Sequence, residues 1–150
     1  MGRRKRKWTA RPFESLGERF QDPNTGAVRA DTSAAIFESM LLSPAYMDLS
    51  TRQKQLYLIC KAQYYGHRKP GADFPDVELV SGDDVFYLNL GAVVRYGLYT
   101  RNMRGKFYAD MKELENHGFI ETVSSGKSTK TKSIYRFSPG WKYWTATPEK

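Results

Sequence analysis

The residues with the clearest binding chemistry open the stretch "TRNMRGKFYADMKELENHGFIE", residues 100 to 121. Before the first acid, Asp110, this stretch offers guanidinium, ammonium and amide groups, which donate hydrogen bonds to phosphates and base edges. These groups belong to Arg101, Asn102, Arg104 and Lys106. The pattern predicts a helix over about 102–117, and the helix macrodipole disfavours cations at its N-terminal end. The placement therefore indicates an anionic partner.

One side of this predicted helix is apolar and the other is basic. The apolar residues recur at helical spacing and predict one narrow buried stripe, formed by Met103, Phe107, Met111 and Leu114. The opposite face carries Arg101, Gly105, Tyr108, Ala109, Lys112 and Asn116, with Arg104 and Lys106 at its flanks. Small side chains at Gly105 and Ala109 let a helix backbone approach a partner closely. Such a helix fits the major groove of DNA, and the alternative is a solvated face.

Catalytic chemistry has little support in the sequence. The two histidines, His67 and His117, are predicted to be structural, and no Cys/His or His/carboxylate spacing fits a zinc site. No glycine-rich phosphate loop or nucleophile elbow occurs. The acidic segment 71–84 lacks the spaced oxygen ligands of a calcium loop. We therefore predict no enzyme, no cofactor and no metal site.

The charge of the 150-residue chain is segregated along its length. Residues 1–11 hold six cations and no acid, which accounts for +6 of the net charge of +8 and leaves +2 for the rest. The arm residues expected to contact DNA are Arg3, Arg4, Lys5 and Arg6. Segment 71–84 holds five acids and no cation, and two roles stay open for it: repelling DNA from the wrong face, or folding back on the arm. One cysteine, Cys60, and no apolar run of membrane-spanning length predict a reducing, cytoplasmic protein without a membrane partner.

The chain is predicted to be an arm followed by one domain. Residues 1–30 have few apolar groups and no period, which is typical of a basic, flexible N-terminal arm, and residues 31–150 form the domain. Within the domain, "SAAIFESMLLS" at 33–43 predicts a helix whose apolar face holds Ile36, Phe37, Met40 and Leu41. A second helix begins after Ser50, where Gln53 completes a capping-box pattern.

The order of the later elements indicates the architecture. A short strand and a short helix over about 90–96 precede the helix at 102–117, and strand-like runs at 119–125 and 132–138 then flank "GKSTKTK". The hairpin tip offers Lys127, Lys130 and Lys132 to phosphates. Helices followed by a β-hairpin with a basic tip predict an α+β, mainly helical fold: a winged helix-turn-helix with a basic N-terminal arm.

Three segments resemble winged helix-turn-helix proteins of plasmids, phages and conjugative elements, many of them replication initiators or accessory proteins. "FYADMKELENHGFIE" is similar to the recognition helix and first wing strand, with Leu114-Glu115 before Gly118-Phe119-Ile120. "YRFSPGW" at 135–141 resembles the closing wing strand, and 41–66 resembles the first part of such domains. The resemblance spans roughly 34–144. It implies double-stranded DNA binding in replication or transcription control, with replication or conjugation proteins as further partners and homodimerisation on two half-sites open.

One departure from that family bears on recognition. Such helices often begin with Ser or Thr, whereas this chain has Arg104-Gly105-Lys106, which favours phosphate contacts. The main alternative function is a protein-interaction adaptor that uses the aromatic-rich "WKYW" and "AQYYG" and has only non-specific nucleic-acid attraction. A further alternative is RNA or single-strand binding through the aromatics, although no strand motif of that type occurs.

Overall fold

The computed structural model describes residues 12–31, 33–63, 85–124 and 133–146. The chain divides into two compact units, Met1–Ser33 and Ala34–Lys150. The fold is α+β, as predicted, and its described part contains helices and two small antiparallel sheets. Across these described ranges, no helix combines the length and apolar character required to cross a bilayer.

The first unit contains a β-hairpin within the segment that the sequence predicts to be an arm. Strands β1 (Arg19–Gln21) and β2 (Val28–Ala30) pair antiparallel. The Asp22 carboxylate accepts hydrogen bonds from the Asn24 N–H (2.8 Å) and from Arg29 Nε (3.2 Å). The Asn24 bond is the main reason that the pKa of Asp22 lies below its usual value. Strands of three residues are too short to show a period, so the sequence pattern did not indicate them.

The second unit has five helices and three strands among its described residues. The helices are α1 (Glu38–Leu41), α2 (Pro44–Asp48), α3 (Thr51–Ala62), α4 (Leu90–Arg95) and α5 (Arg104–Asn116). The strands are β3 (Val85–Tyr87), β4 (Ile120–Ser124) and β5 (Ile134–Phe137). They form one antiparallel sheet in the order β3-β5-β4. The central strand β5 pairs with β4, its neighbour in sequence, and with β3, which lies much earlier in the chain.

Local sequence signals account for the starts of three helices. The Ser43 side chain caps α2 by accepting the Tyr46 N–H, and Pro44 occupies the first turn. Ser50 and Gln53 form the predicted capping box, because each side chain accepts the other residue's N–H, at 3.2 and 3.0 Å. The Asn89 side chain caps α4 in the same way by accepting the Ala92 N–H (2.9 Å).

The predicted helix over 33–43 is wrong in extent and in its face. Only Glu38–Leu41 is helical, and Phe37 at its start makes no side-chain cap. Ile36 and Met40 pack against the core, as predicted, whereas Phe37 and Leu41 are 79% and 42% exposed. A single helical turn can direct only one edge inward, so a four-residue apolar face does not form.

The core lies between the helices and the sheet, with α3 packed on α5. Phe119 is fully buried at the centre of the core. Its ring contacts Tyr57 at a tilt of 53°, with centroids 5.0 Å apart, and stacks parallel to Trp141 with centroids 6.2 Å apart. The C-terminal segment therefore attaches to the core through Trp141 and Trp144. Cys60 is buried in the same core, and its burial raises the pKa of the thiol.

Candidate nucleic-acid interface

The apolar side of α5 anchors this helix in the core. A 3₁₀ turn, Arg101–Met103, leads directly into α5. Phe107, Met111 and Leu114 are buried and Met103 packs against them, so the predicted stripe is confirmed. Burial of side chains of this size contributes about 1.5–3 kcal/mol each, enough to fix which face of the helix points outward.

A buried carboxylate beside the stripe fixes α5 further. Asp110 is 1% exposed and accepts hydrogen bonds from Arg52 Nε (2.9 Å), Gln53 Nε2 (3.1 Å) and the Tyr99 hydroxyl (2.6 Å). These donors come from the first turn of α3 and from the segment before α5. Burial, reinforced by the nearby carboxylate, raises the pKa of Tyr99, which therefore remains a donor. The sequence carries no signal for the contact between α3 and α5, because Arg52 and Gln53 lie 58 and 57 residues from Asp110 along the chain.

The C-terminal end of α5 is closed by a glycine turn. Gly118 adopts φ +84°, and the N–H groups of Gly118 and Phe119 bond to the carbonyls of Glu115 and Leu114, both at 3.0 Å. This is a Schellman motif. The Trp141 N–H also bonds to the Gly118 carbonyl (2.9 Å), which ties the C-terminal segment to the helix end.

His117, which precedes this turn, is a structural residue, as predicted from its position. Its Nδ1 lies 2.7 Å from the Glu113 carbonyl oxygen and its Nε2 lies 2.7 Å from Asp48 Oδ2. The ring stacks on Trp144 with centroids 4.6 Å apart. His117 thereby joins the end of α5 to α2 and to the C-terminal segment. Within the described ranges, no group of three or more His, Cys, Asp or Glu side chains could hold a metal ion.

The outward side of α5 and the turn before it carry every polar residue predicted for the recognition helix. All of them are exposed: Arg101, Asn102, Arg104, Lys106, Tyr108 and Lys112. Arg101, Arg104 and Lys106 make no ion pair with any residue that the structure describes. The first half of α5 therefore presents uncompensated positive charge at the end where the macrodipole is also positive.

The second half of this face is partly neutralised. Lys112 Nζ lies 3.3 Å from Glu115 Oε2, and the Thr122 N–H donates to Glu115 Oε1 (3.1 Å). Partial burial alone would raise the pKa of Glu115, but the Thr122 N–H and the Lys112 ammonium outweigh it and hold the pKa below its usual value. Glu115 remains ionised at neutral pH, so Lys112 is less available to an external anion than Lys106.

The centre of the outward face has only small side chains, so the helix backbone lies close to the surface there. A Cβ atom added at Gly105 would meet no atom within 4 Å outside its own helix backbone, and Ala109 lies exposed one turn further on. A partner surface can therefore approach the helix backbone between the flanking cations.

Replacing Gly105 with alanine should raise the free energy of unfolding by about 0.5–1 kcal/mol, because alanine restricts the unfolded chain and finds open space in the helix. Urea denaturation followed by tryptophan fluorescence measures this change. A loss of stability would mean that the Gly105 site is not the open helical position described here.

The remaining predicted DNA contacts lie outside the described residues. These are the arm residues Arg3, Arg4, Lys5 and Arg6 and the hairpin-tip residues Lys127, Lys130 and Lys132. The acidic segment 71–84 lies outside them as well. The strands that flank the hairpin tip, β4 and β5, pair antiparallel as predicted, with a register irregularity between Thr122 and Ser124.

In comparisons with protein-family models, with curated proteins and with solved structures, the chain has no significant match.

Proposed function

We propose that this protein binds double-stranded DNA, with the outward face of α5 in the major groove. The observation that carries the proposal is the exposed group Arg101, Arg104 and Lys106, which makes no ion pair with described residues. The hairpin tip and the N-terminal arm add phosphate contacts in this proposal. The protein serves replication or transcription control of a bacterial mobile element, in the cytoplasm, and is not an enzyme.

Electrostatics supports an anionic partner on this face. Each cation near a helix N-terminus is disfavoured by a few tenths of a kcal/mol or more, and three of them also repel one another. Phosphates of duplex DNA reverse the sign of this effect, because the cations and the helix N-terminus then both face negative charge. The low surface at Gly105 and Ala109 suits close approach to a groove about 12 Å wide.

The element order supports a winged-helix interpretation. Helix α3, strand β3, helix α4, helix α5 and the β4–β5 hairpin follow one another, and β3 joins the sheet beside β5. Helix α5 is held by the core on one side only, which leaves its outward face to a partner. Fold alone does not specify function, so the exposed cations carry more of the proposal than the topology does.

The adaptor alternative has less support from the C-terminal aromatics. Trp141 stacks on Phe119 and Trp144 stacks on His117, so both are engaged within the domain. Tyr143 is 82% exposed and is the "WKYW" aromatic that remains open to solvent. The residues of "AQYYG" from Tyr64 onward lie outside the described ranges.

The proposal is tested by titrating the full chain into a fluorescent duplex of random sequence over a series of salt concentrations. We expect steep salt dependence, and Lys106→Ala should reduce the log–log slope by about 0.9, which corresponds to one phosphate contact. Fluorescence anisotropy measures both the affinity and the slope.

Lys142→Ala is the matched control, because Lys142 is also an exposed lysine. It adjoins Trp141 at the Gly118 end of α5, and a 13-residue helix places that end about 20 Å from Arg104. Its slope should equal that of the wild type. Equal losses in the two variants would indicate general charge attraction, and the absence of duplex binding would favour the adaptor.

A further inference from the structure

Arg104 and Tyr108 form an exposed pair one helical turn apart on α5. The guanidinium carbon of Arg104 lies 5.6 Å from the Tyr108 ring centroid, within the range of a cation–π contact. The Tyr108 ring also contacts the fully buried Phe107 ring, with centroids 4.9 Å apart. The tyrosine is thus fixed against the core, and it restrains an arginine that would otherwise sample many rotamers.

The other cations of this surface have different surroundings. Lys112 pairs with Glu115. Lys106 lies on the opposite flank of α5, and neither Lys106 nor Arg101 has an ion pair or ring contact with the residues that the structure describes. Long, unrestrained cations suit phosphates, which accept contacts from many directions. A restrained guanidinium suits hydrogen-bond acceptors that are held in fixed positions relative to each other.

Guanine provides such a target in the major groove. Its O6 and N7 atoms are adjacent acceptors, and the planar fork of arginine donates to both at once. Orienting the fork before binding reduces the conformational entropy lost in the complex. Arg104 is the first residue of α5, the end of a recognition helix that meets base edges, and Gly105 beside it presents no side chain to hinder approach.

We infer that Arg104 reads a guanine in the major groove and that Tyr108 is the residue that positions it, while Arg101 and Lys106 contact phosphates. This inference rests on the proposed DNA-binding function and names the residue that determines its specificity. It also revises the expectation from the sequence, in which Arg104 is a phosphate contact.

The test begins with the full chain and a pool of short duplexes randomised at their centre, with sequencing of the bound fraction. We expect one position at which guanine is enriched, with discrimination of about 5- to 150-fold over other bases. At that position, 7-deazaguanine, which keeps base pairing but lacks N7, should weaken binding about fivefold or more.

The variants separate orientation from charge. Arg104→Lys keeps the charge but not the fork, so it should lose the guanine preference and the sensitivity to 7-deazaguanine while the salt dependence of duplex binding stays steep. Tyr108→Ala should weaken the preference, and Tyr108→Phe, which keeps the ring, should retain it. Lys142→Ala, a change outside the proposed interface, is the control and should leave the preference unchanged.

The outcomes distinguish this inference from the proposed function. If the wild type binds random duplex with steep salt dependence but shows no guanine preference, or if Arg104→Lys retains that preference, the assignment of Arg104 is overturned and DNA binding stands. A preference that is unchanged in Tyr108→Ala overturns the positioning role. If the wild type binds no duplex at all, both the inference and the proposed function fail.

Discussion

Replacing Gly118 with alanine should lower the free energy of unfolding by about 3 kcal/mol or more. Two effects act together at this position. The φ of +84° is unfavourable for a residue with a Cβ by about 1–2 kcal/mol. In addition, the new Cβ would lie 2.4 Å from the Gly140 carbonyl carbon and 2.5 Å from the Trp141 nitrogen, so backbone must move. Overpacking of this kind costs about 1–3 kcal/mol more.

Gly97→Ala provides the matched comparison for this prediction. Gly97 also has a positive φ, +76°, at the end of a helix, but an added Cβ there meets nothing within 4 Å. The free energy of unfolding of Gly97→Ala should therefore fall only by the cost of the positive φ, about 1–2 kcal/mol. Urea denaturation followed by tryptophan fluorescence measures both variants. Equal losses would contradict the close approach of the C-terminal segment to the end of α5.

Removal of the buried carboxylate in Asp110→Ala should lower the free energy of unfolding by about 3 kcal/mol. The change leaves three donors without their acceptor, and breaking a buried ion pair costs about 3–5 kcal/mol. The lower end of that range applies because the Arg52 side chain is 32% exposed and can turn partly to solvent. The Tyr99 hydroxyl, in contrast, remains buried.

Tyr99→Phe gives a graded comparison, since it removes one of the three hydrogen bonds and should lose about 1–2 kcal/mol. A double-mutant cycle that combines Asp110→Ala with Arg52→Ala isolates the ion pair. The sum of the two single losses in free energy of unfolding should exceed the loss in the double variant. The assigned cluster is wrong if Asp110→Ala is no more destabilising than Tyr99→Phe. The same variants should weaken the proposed DNA binding, because this cluster holds α5 in place.

The elements that depend on neighbouring residues were predictable from the sequence. The Ser50–Gln53 capping box begins α3, and Gly118 ends α5, because both depend on hydrogen bonds within a few residues. The apolar stripe of α5 and the pairing of β4 with β5 follow equally from spacing along one segment. The polar residues on the face of α5 opposite that stripe are exposed for the same reason, so the described part of the candidate site was also predictable.

Tertiary structure decided what depends on distant residues or on packing. The sequence alone does not show that Asp110 meets Arg52, that β3 joins the sheet beside β5, or that Gly140 leaves no room for a side chain at Gly118. Phe37 and Leu41 are exposed because α1 is a single turn, although their spacing matches an inward helical face. A sequence pattern specifies which residues share a side of an element, whereas the side that becomes buried depends on what packs against it. For that reason the sequence by itself determined a basic helix with one apolar face, and only the folded chain determined how that helix is held and which arginine is oriented on its surface.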